Sequence, residues 1–155
     1  DNKVNNDSTN EDTAGGGNAQ ARYITRILTL ADGQDAEDIK VKINAYKPVT
    51  TDIEVYYKIM HRDDESTFND LPWVKMTQST VSTVFSDSEN EEDFKIFDFD
   101  IPTDKLTGTL NEVQYVNNGL TYTGFKYMSM KVVLKSSSDA IVPRVRDFLA
   151  IALQV

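Results

Sequence analysis

Two stretches of strict alternation, one soon after the other, constrain this chain more than any other feature. Ile39, Val41, Ile43 and Ala45 fall on one side of an extended segment, with Lys40, Lys42 and Asn44 on the other. Ile53, Val55, Tyr57 and Ile59 then alternate with Glu54, Tyr56 and Lys58. A period of two puts every apolar group on one face of a strand, whereas a helix would scatter them around its circumference. Pro48 sits in the short connection, so the two segments read as an antiparallel strand pair.

The same pattern recurs along the chain. Residues 22–28 are rich in β-formers and end at the Ala31-Asp32-Gly33-Gln34-Asp35 turn signal. Leu71 to Met76 reads as a short strand carrying the only tryptophan, Trp73, and residues 80–86 are rich in β-branched side chains. Phe97, Phe99 and Ile101 share a face with Lys95, and Pro102 closes that strand. Residues 122–135 form the longest strand expected. The last apolar run, up to Leu153, reads as a buried central strand, because it is apolar on both faces. Residues 103–121 admit a short helix over Asp104 to Val113 or a long loop with an Asn117-Asn118-Gly119 turn. The expectation is an all-β sandwich, jelly-roll or immunoglobulin-like, of about eight antiparallel strands with at most one short helix. No internal repeat is present.

Residues 1–20 break the pattern. Val4 is their only large apolar side chain, too little to offset the entropy of ordering them. They read as an extended tail or linker before a domain spanning 21–155, held in place by something outside that domain. The chain starts at Asp1 rather than Met, which suggests a portion of a longer polypeptide.

Charge narrows the partners. The net charge is −9, and the basic patch that displaces counterions from a nucleic acid is missing. Arg144 and Arg146 are flanked by Asp139 and Asp147. An acidic surface also disfavours anionic membranes. No apolar run of the length a membrane-spanning helix needs occurs. With no cysteine in the chain, thiolate metal sites are ruled out.

Chemistry-bearing residues are few. The single histidine, His61, lies among Arg62, Asp63 and Asp64 and reads as a solvated loop residue, with no serine elbow to serve. Asp32, Asp35, Glu37 and Asp38, around Gly33, offer hard oxygen ligands for calcium, against the plainer reading of a capped hairpin turn. The acidic run Asp87, Glu89, Glu91, Glu92 and Asp93 reads as a solvated loop. Most strand aromatics read as core. Tyr56 is the surface candidate for stacking a sugar or contacting a protein, and Trp73 is the second. No catalytic set and no organic cofactor site emerge.

Three segments in series carry a resemblance: ARYITRILTLADGQDAEDIKVKINAYKPVTTDIEVYYKIM at 21–60, FNDLPWVKM at 68–76, and VPRVRDFLAIAL at 142–153. Together they resemble a domain in virion structural proteins of tailed bacteriophages, especially the contractile-tailed, T4-like phages of marine and cyanobacterial hosts. The resemblance covers residues 21–153 in order. It implies a non-enzymatic β-sandwich in the tail, baseplate, neck or fibre apparatus, located in the virion and assembled with other virion proteins or with copies of itself. It carries over no catalytic residue. The loops at 61–67 and 86–93 depart from it. The alternative is a lectin-like module that recognises a host surface glycan, motivated by the aromatics and the Asp32–Asp38 loop.

Overall fold

The computed structural model describes residues 4–155. The chain is all-β and sandwich-like. Its strands are β1 (Ala21–Ile24), β2 (Leu28–Thr29), β3 (Asp38–Tyr46), β4 (Thr51–Met60), β5 (Val74–Lys75), β6 (Thr77–Gln78), β7 (Lys95–Asp100), β8 (Leu106–Thr107), β9 (Glu112–Asn117), β10 (Leu120–Thr123), β11 (Tyr127–Ser136) and β12 (Arg144–Leu153). Helical structure among the described residues is limited to two three-residue 3-10 turns, Phe68–Asp70 and Thr103–Lys105.

Two antiparallel sheets face each other. The first runs β1-β11-β4-β5, with β2 also on β11. The second runs β12-β3-β7-β6. Ile39, Val41 and Ile43 from β3 and Phe97 and Phe99 from β7 meet Ile53, Val55 and Tyr57 from β4 in one buried core. The faces read from alternation are therefore right, but β3 and β4 are not a pair. Each lies in a different sheet, and residues 47–50 arch from one layer to the other. Period two fixes which side of a strand is buried and says nothing about its neighbour.

Outside the core, the second sheet is laced by charge. Lys42 lies opposite Asp98 and Lys40 opposite Asp100, with Nζ–oxygen distances of 2.6 and 2.9 Å. Residues 80–86 form no strand despite their composition. Thr80 Oγ1 accepts from the Asp98 N–H, and Ser86 exchanges hydrogen bonds with the Lys47 backbone at the arch. These local bonds occupy groups a ladder would need.

Residues 103–121 hold neither the helix nor the long loop. After a single 3-10 turn, β9 and β10 form a hairpin with Asn117 opposite Leu120. Asn118 (φ 52°) and Gly119 (φ 76°) are both left-handed, as a two-residue type I′ turn requires. Asn-Gly with β-branched Val116 and Thr121 two positions before and after it is the signal in the sequence for it.

Of the extended tail expected over residues 1–20, residues 1–3 lie outside the described residues, and residues 4–20 are not extended. They fold back over the outer face of the first sheet, and the chain's own strands hold them. Asp12 C=O accepts from Trp73 N–H at 2.9 Å and Asn5 C=O from Ser136 N–H at 3.0 Å. This cover explains why β4 is buried along nearly its whole length.

One side of the sandwich is closed and the other is open. At the closed side the chain passes directly from β5, on β4, to β6, on β7, with Met76 N–H bonded to Val55 C=O at 2.7 Å. At the open side stand β1 and β12, each paired with a single strand among the described residues. β12 is thus an edge strand, not the central one expected. Its side chains are apolar on both faces, but one face is uncovered: Leu149 and Ile151 are 53% and 40% exposed.

Candidate functional site

Between the N-terminal cover and the first sheet lies an unusual polar layer. Lys131, on β11, and Glu11, on the cover, are each only 1% exposed. Lys131 Nζ donates to Glu11 Oε2 at 2.8 Å and to the Glu11 carbonyl. Glu11 Oε1 accepts from the Ala19 N–H at 2.9 Å, and Arg22 Nη1 lies at 3.4 Å. Lys131 and Lys58 both sit over the Trp73 ring, at 5.1 and 4.8 Å from its centroid. Lys131 also sits 4.8 Å from the Tyr56 ring. Buried ammonium groups placed on aromatic faces replace part of their lost hydration. Burial pushes both lysines below their ordinary values, with Glu11 opposing the shift at Lys131.

This layer corrects the reading of the two aromatic candidates. Tyr56 and Trp73 are 4% and 6% exposed and form no surface platform. Tyr56 does point away from the main core, as its register implies. However, residues 4–20 cover that outer face, and the Tyr56 hydroxyl donates to Glu54 Oε1 at 2.8 Å. Nothing in the alternation of β4 announces a second cover.

The four acidic residues considered for calcium are turned to separate partners. Asp32 pairs with Lys126, and Asp35 Oδ2 accepts from Arg62 Nε at 2.7 Å. Asp38 Oδ1 accepts from the Ile39 N–H, and Glu37 Oε2 from the Val155 N–H. The hydrogen bonds from Lys126 and Arg62 hold the Asp32 and Asp35 carboxyls below their ordinary values. Among the described residues, no three acidic or imidazole groups converge as metal ligands. The arrangement staples the turn to the β10–β11 connection and to the loop after β4.

His61 is half-buried rather than solvated. Its ring packs tilted against Tyr122, with centroids 5.3 Å apart, and its Nδ1 accepts from the Asp63 N–H at 3.0 Å. The neighbouring Ser66 hydroxyl donates to Asp64 at 2.6 Å, so imidazole and hydroxyl do not form a nucleophile–base pair. The Tyr115 hydroxyl accepts from the His61 N–H and donates to Asp64 Oδ2, both at 2.8 Å. Asn117 Nδ2 adds a further bond at 3.1 Å. Asp64 thus ties the loop after β4 to the β9–β10 hairpin. Burial pushes its carboxyl up, but the hydrogen bonds from Ser66, Tyr115 and Asn117 outweigh burial and leave it below its ordinary value. A carboxylate with a lowered folded pKa contributes stability above its unfolded pKa and loses it as pH falls through the folded value. Asp64→Asn is therefore expected to flatten the loss of stability on acidification below about pH 4. Urea midpoints measured down that range check this, and an unchanged acid slope would count against the strut.

The remaining feature is the open side. A cleft of about 830 Å3 runs between β1 and β12. Tyr23, Val132, Leu134, Val142 and Phe148 supply its apolar wall, and Arg22, Arg144 and Arg146 line it as well. Arg144 and Arg146 also reach Glu91 and Glu92 of the acidic loop, at 3.7 and 3.4 Å. Such exposed pairs add little stability. An unpaired strand edge presents a row of free N–H and C=O groups with which another strand can pair. Only edge position could have revealed it, and side-chain periodicity does not report edges. No protein-family model, curated protein or solved structure matches the chain.

Proposed function

We propose that this domain is a non-enzymatic structural component of a tailed-bacteriophage virion, in its tail, baseplate, neck or fibre apparatus, and that it acts through protein–protein assembly. The observation that carries the reading is the open side of the sandwich, where the ten-residue β12 offers an unpaired edge next to an apolar cleft. Monomeric proteins usually shield such an edge. In a particle built of contacting subunits, the edge is an attachment point. The three sequence blocks at 21–60, 68–76 and 142–153 supply the virion part of the proposal. The polar clusters described above all tie one piece of the fold to another, which suits a part that has to hold its shape under load.

The lectin-like alternative has lost its two aromatic residues to the buried layer. The direct test is mass spectrometry of purified particles from a phage that encodes the sequence. Peptides from residues 21–153 are expected in the particle at stoichiometric copy number. Their absence from intact particles, with the chain found only in the lysate, would overturn the reading.

A further inference from the structure

We infer that β12 pairs with β12 of a second copy, antiparallel about a two-fold axis at Ala150, so that two second sheets join into one. This rests on the assembly reading above and names its partner.

Within β12, Arg144, Arg146 and Asp147 occupy one end, where a bulge between Val145 and Asp147 also disturbs the register. Charge and bulge are the usual guards of an edge. From Phe148 to Leu153 the strand carries neither charge nor proline. Two copies related by a two-fold axis normal to the sheet must oppose residues of the same face, which allows only alternate registers. Registers centred on Arg146 or Asp147 set like charges against each other. Centring on Ala150 avoids this and aligns the uncharged stretch with itself. Leu149 then lies opposite Ile151 of the copy on the exposed face, and Phe148 opposite Ala152 on the half-buried face. Asp147 meets Leu153, and Arg146 meets Gln154. Large residues face small ones inside, and the two exposed apolar residues cover each other outside.

A strand pair of this length buries less than a stable dimer needs, and a net charge of −9 per chain opposes association. The free chain is therefore expected to dimerise with a Kd on the order of tens of micromolar, tighter where neighbouring subunits hold the copies together.

The absence of native cysteine makes the register directly testable. Opposed residues in an antiparallel pair have Cα atoms about 4.5–5.5 Å apart, within disulfide range. The Ala150→Cys chain, oxidised at about 100 µM, is expected to form a symmetric disulfide dimer about tenfold faster than Val49→Cys, whose exposed side chain lies with Thr77 and Gln78 at the β6 side of the sandwich. Leu149→Cys should link poorly to itself and readily to Ile151→Cys in a mixture. Ile151→Lys, with its circular dichroism unchanged, should abolish the concentration-dependent dimer of the parent chain in sedimentation. A parent chain that remains monomeric at all concentrations overturns the self-pairing, even if it binds a different protein. So does an Ala150→Cys chain that links no faster than the Val49→Cys chain. Particle mass spectrometry is independent of both, so a monomer found in virions would sink this inference and leave the virion reading standing.

Discussion

Glu11→Ala is expected to be the most damaging single change on the polar layer, costing about 3–5 kcal/mol if residues 4–20 stay docked. It would leave the Lys131 ammonium buried, with the carbonyl of residue 11 and two aromatic faces but no counter-charge. Lys131 is already pushed below its ordinary value by burial, and losing Glu11 removes the main opposing influence. The chain has two ways to respond. It can neutralise Lys131, or it can release the N-terminal cover and let water in. The second route caps the global loss at the docking energy of the cover and shows up as proteolysis within residues 4–20. Glu11→Gln keeps an acceptor for the Ala19 N–H and should fall between Glu11→Ala and the parent. Glu11→Ala combined with Lys131→Met should recover much of the loss, because an apolar pair escapes the desolvation cost. Urea unfolding of the four chains, with limited proteolysis alongside, decides the matter. A Glu11→Ala chain as stable and as protease-resistant as the parent would mean that the ion pair does not fasten the cover. Gly17 belongs to the same lock. It has φ +139°, and a Cβ there would collide with the Glu11 carboxylate, so a side chain at Gly17 would displace that group.

Phe125→Ala should cost a comparable amount, about 3–5 kcal/mol, by a different mechanism. Phe125 is fully buried in the main core. Its backbone also exchanges both hydrogen bonds with Ala36, at 3.0 and 2.9 Å, where the turn before β3 meets the β10–β11 connection. Removing the ring leaves a cavity among groups fixed from two sides, so the site cannot collapse to fill it. Phe148→Ala is the informative contrast. That ring lines the open cleft, where water already reaches, and its loss should cost well under half as much. Thermal or urea midpoints of the two variants test the difference directly. Equal losses would show that the β1–β12 side is closed in solution.

The sequence makes the faces of the strands legible but not their neighbours. Alternation places Ile39, Val41, Ile53 and Val55 in the core, where they lie. It cannot show that β3 and β4 belong to opposite sheets, because hydrogen-bond partners leave no mark on side-chain periodicity. The final strand misleads for the same reason: an apolar edge and an apolar centre look alike when only side chains are counted. The turn at Asn118-Gly119 is legible through a known mechanism, but the strands on either side of it are not, because a weak helical pattern before it competes. The hardest piece is residues 4–20. Their composition argues against order, and the fold holds them mainly through one buried carboxylate and hydrogen bonds to their backbone, with Ala19 their one buried apolar side chain. Tyr56 and Trp73 turn from exposed candidates into buried packing as a direct result, since their cover comes from a segment with almost no hydrophobic signal.

The Glu11–Lys131 bond joins positions 120 residues apart. During synthesis the carboxylate leaves the ribosome long before its cation exists. Residues 4–20 must therefore wait in water while nearly all of the remaining strands are made. A greasy segment would be a hazard over that interval, open to capture by the wrong edge. The polar, glycine-rich character that makes this segment look dispensable is what allows it to wait without harm, so the first part of the domain to be made is among the last to be put in place.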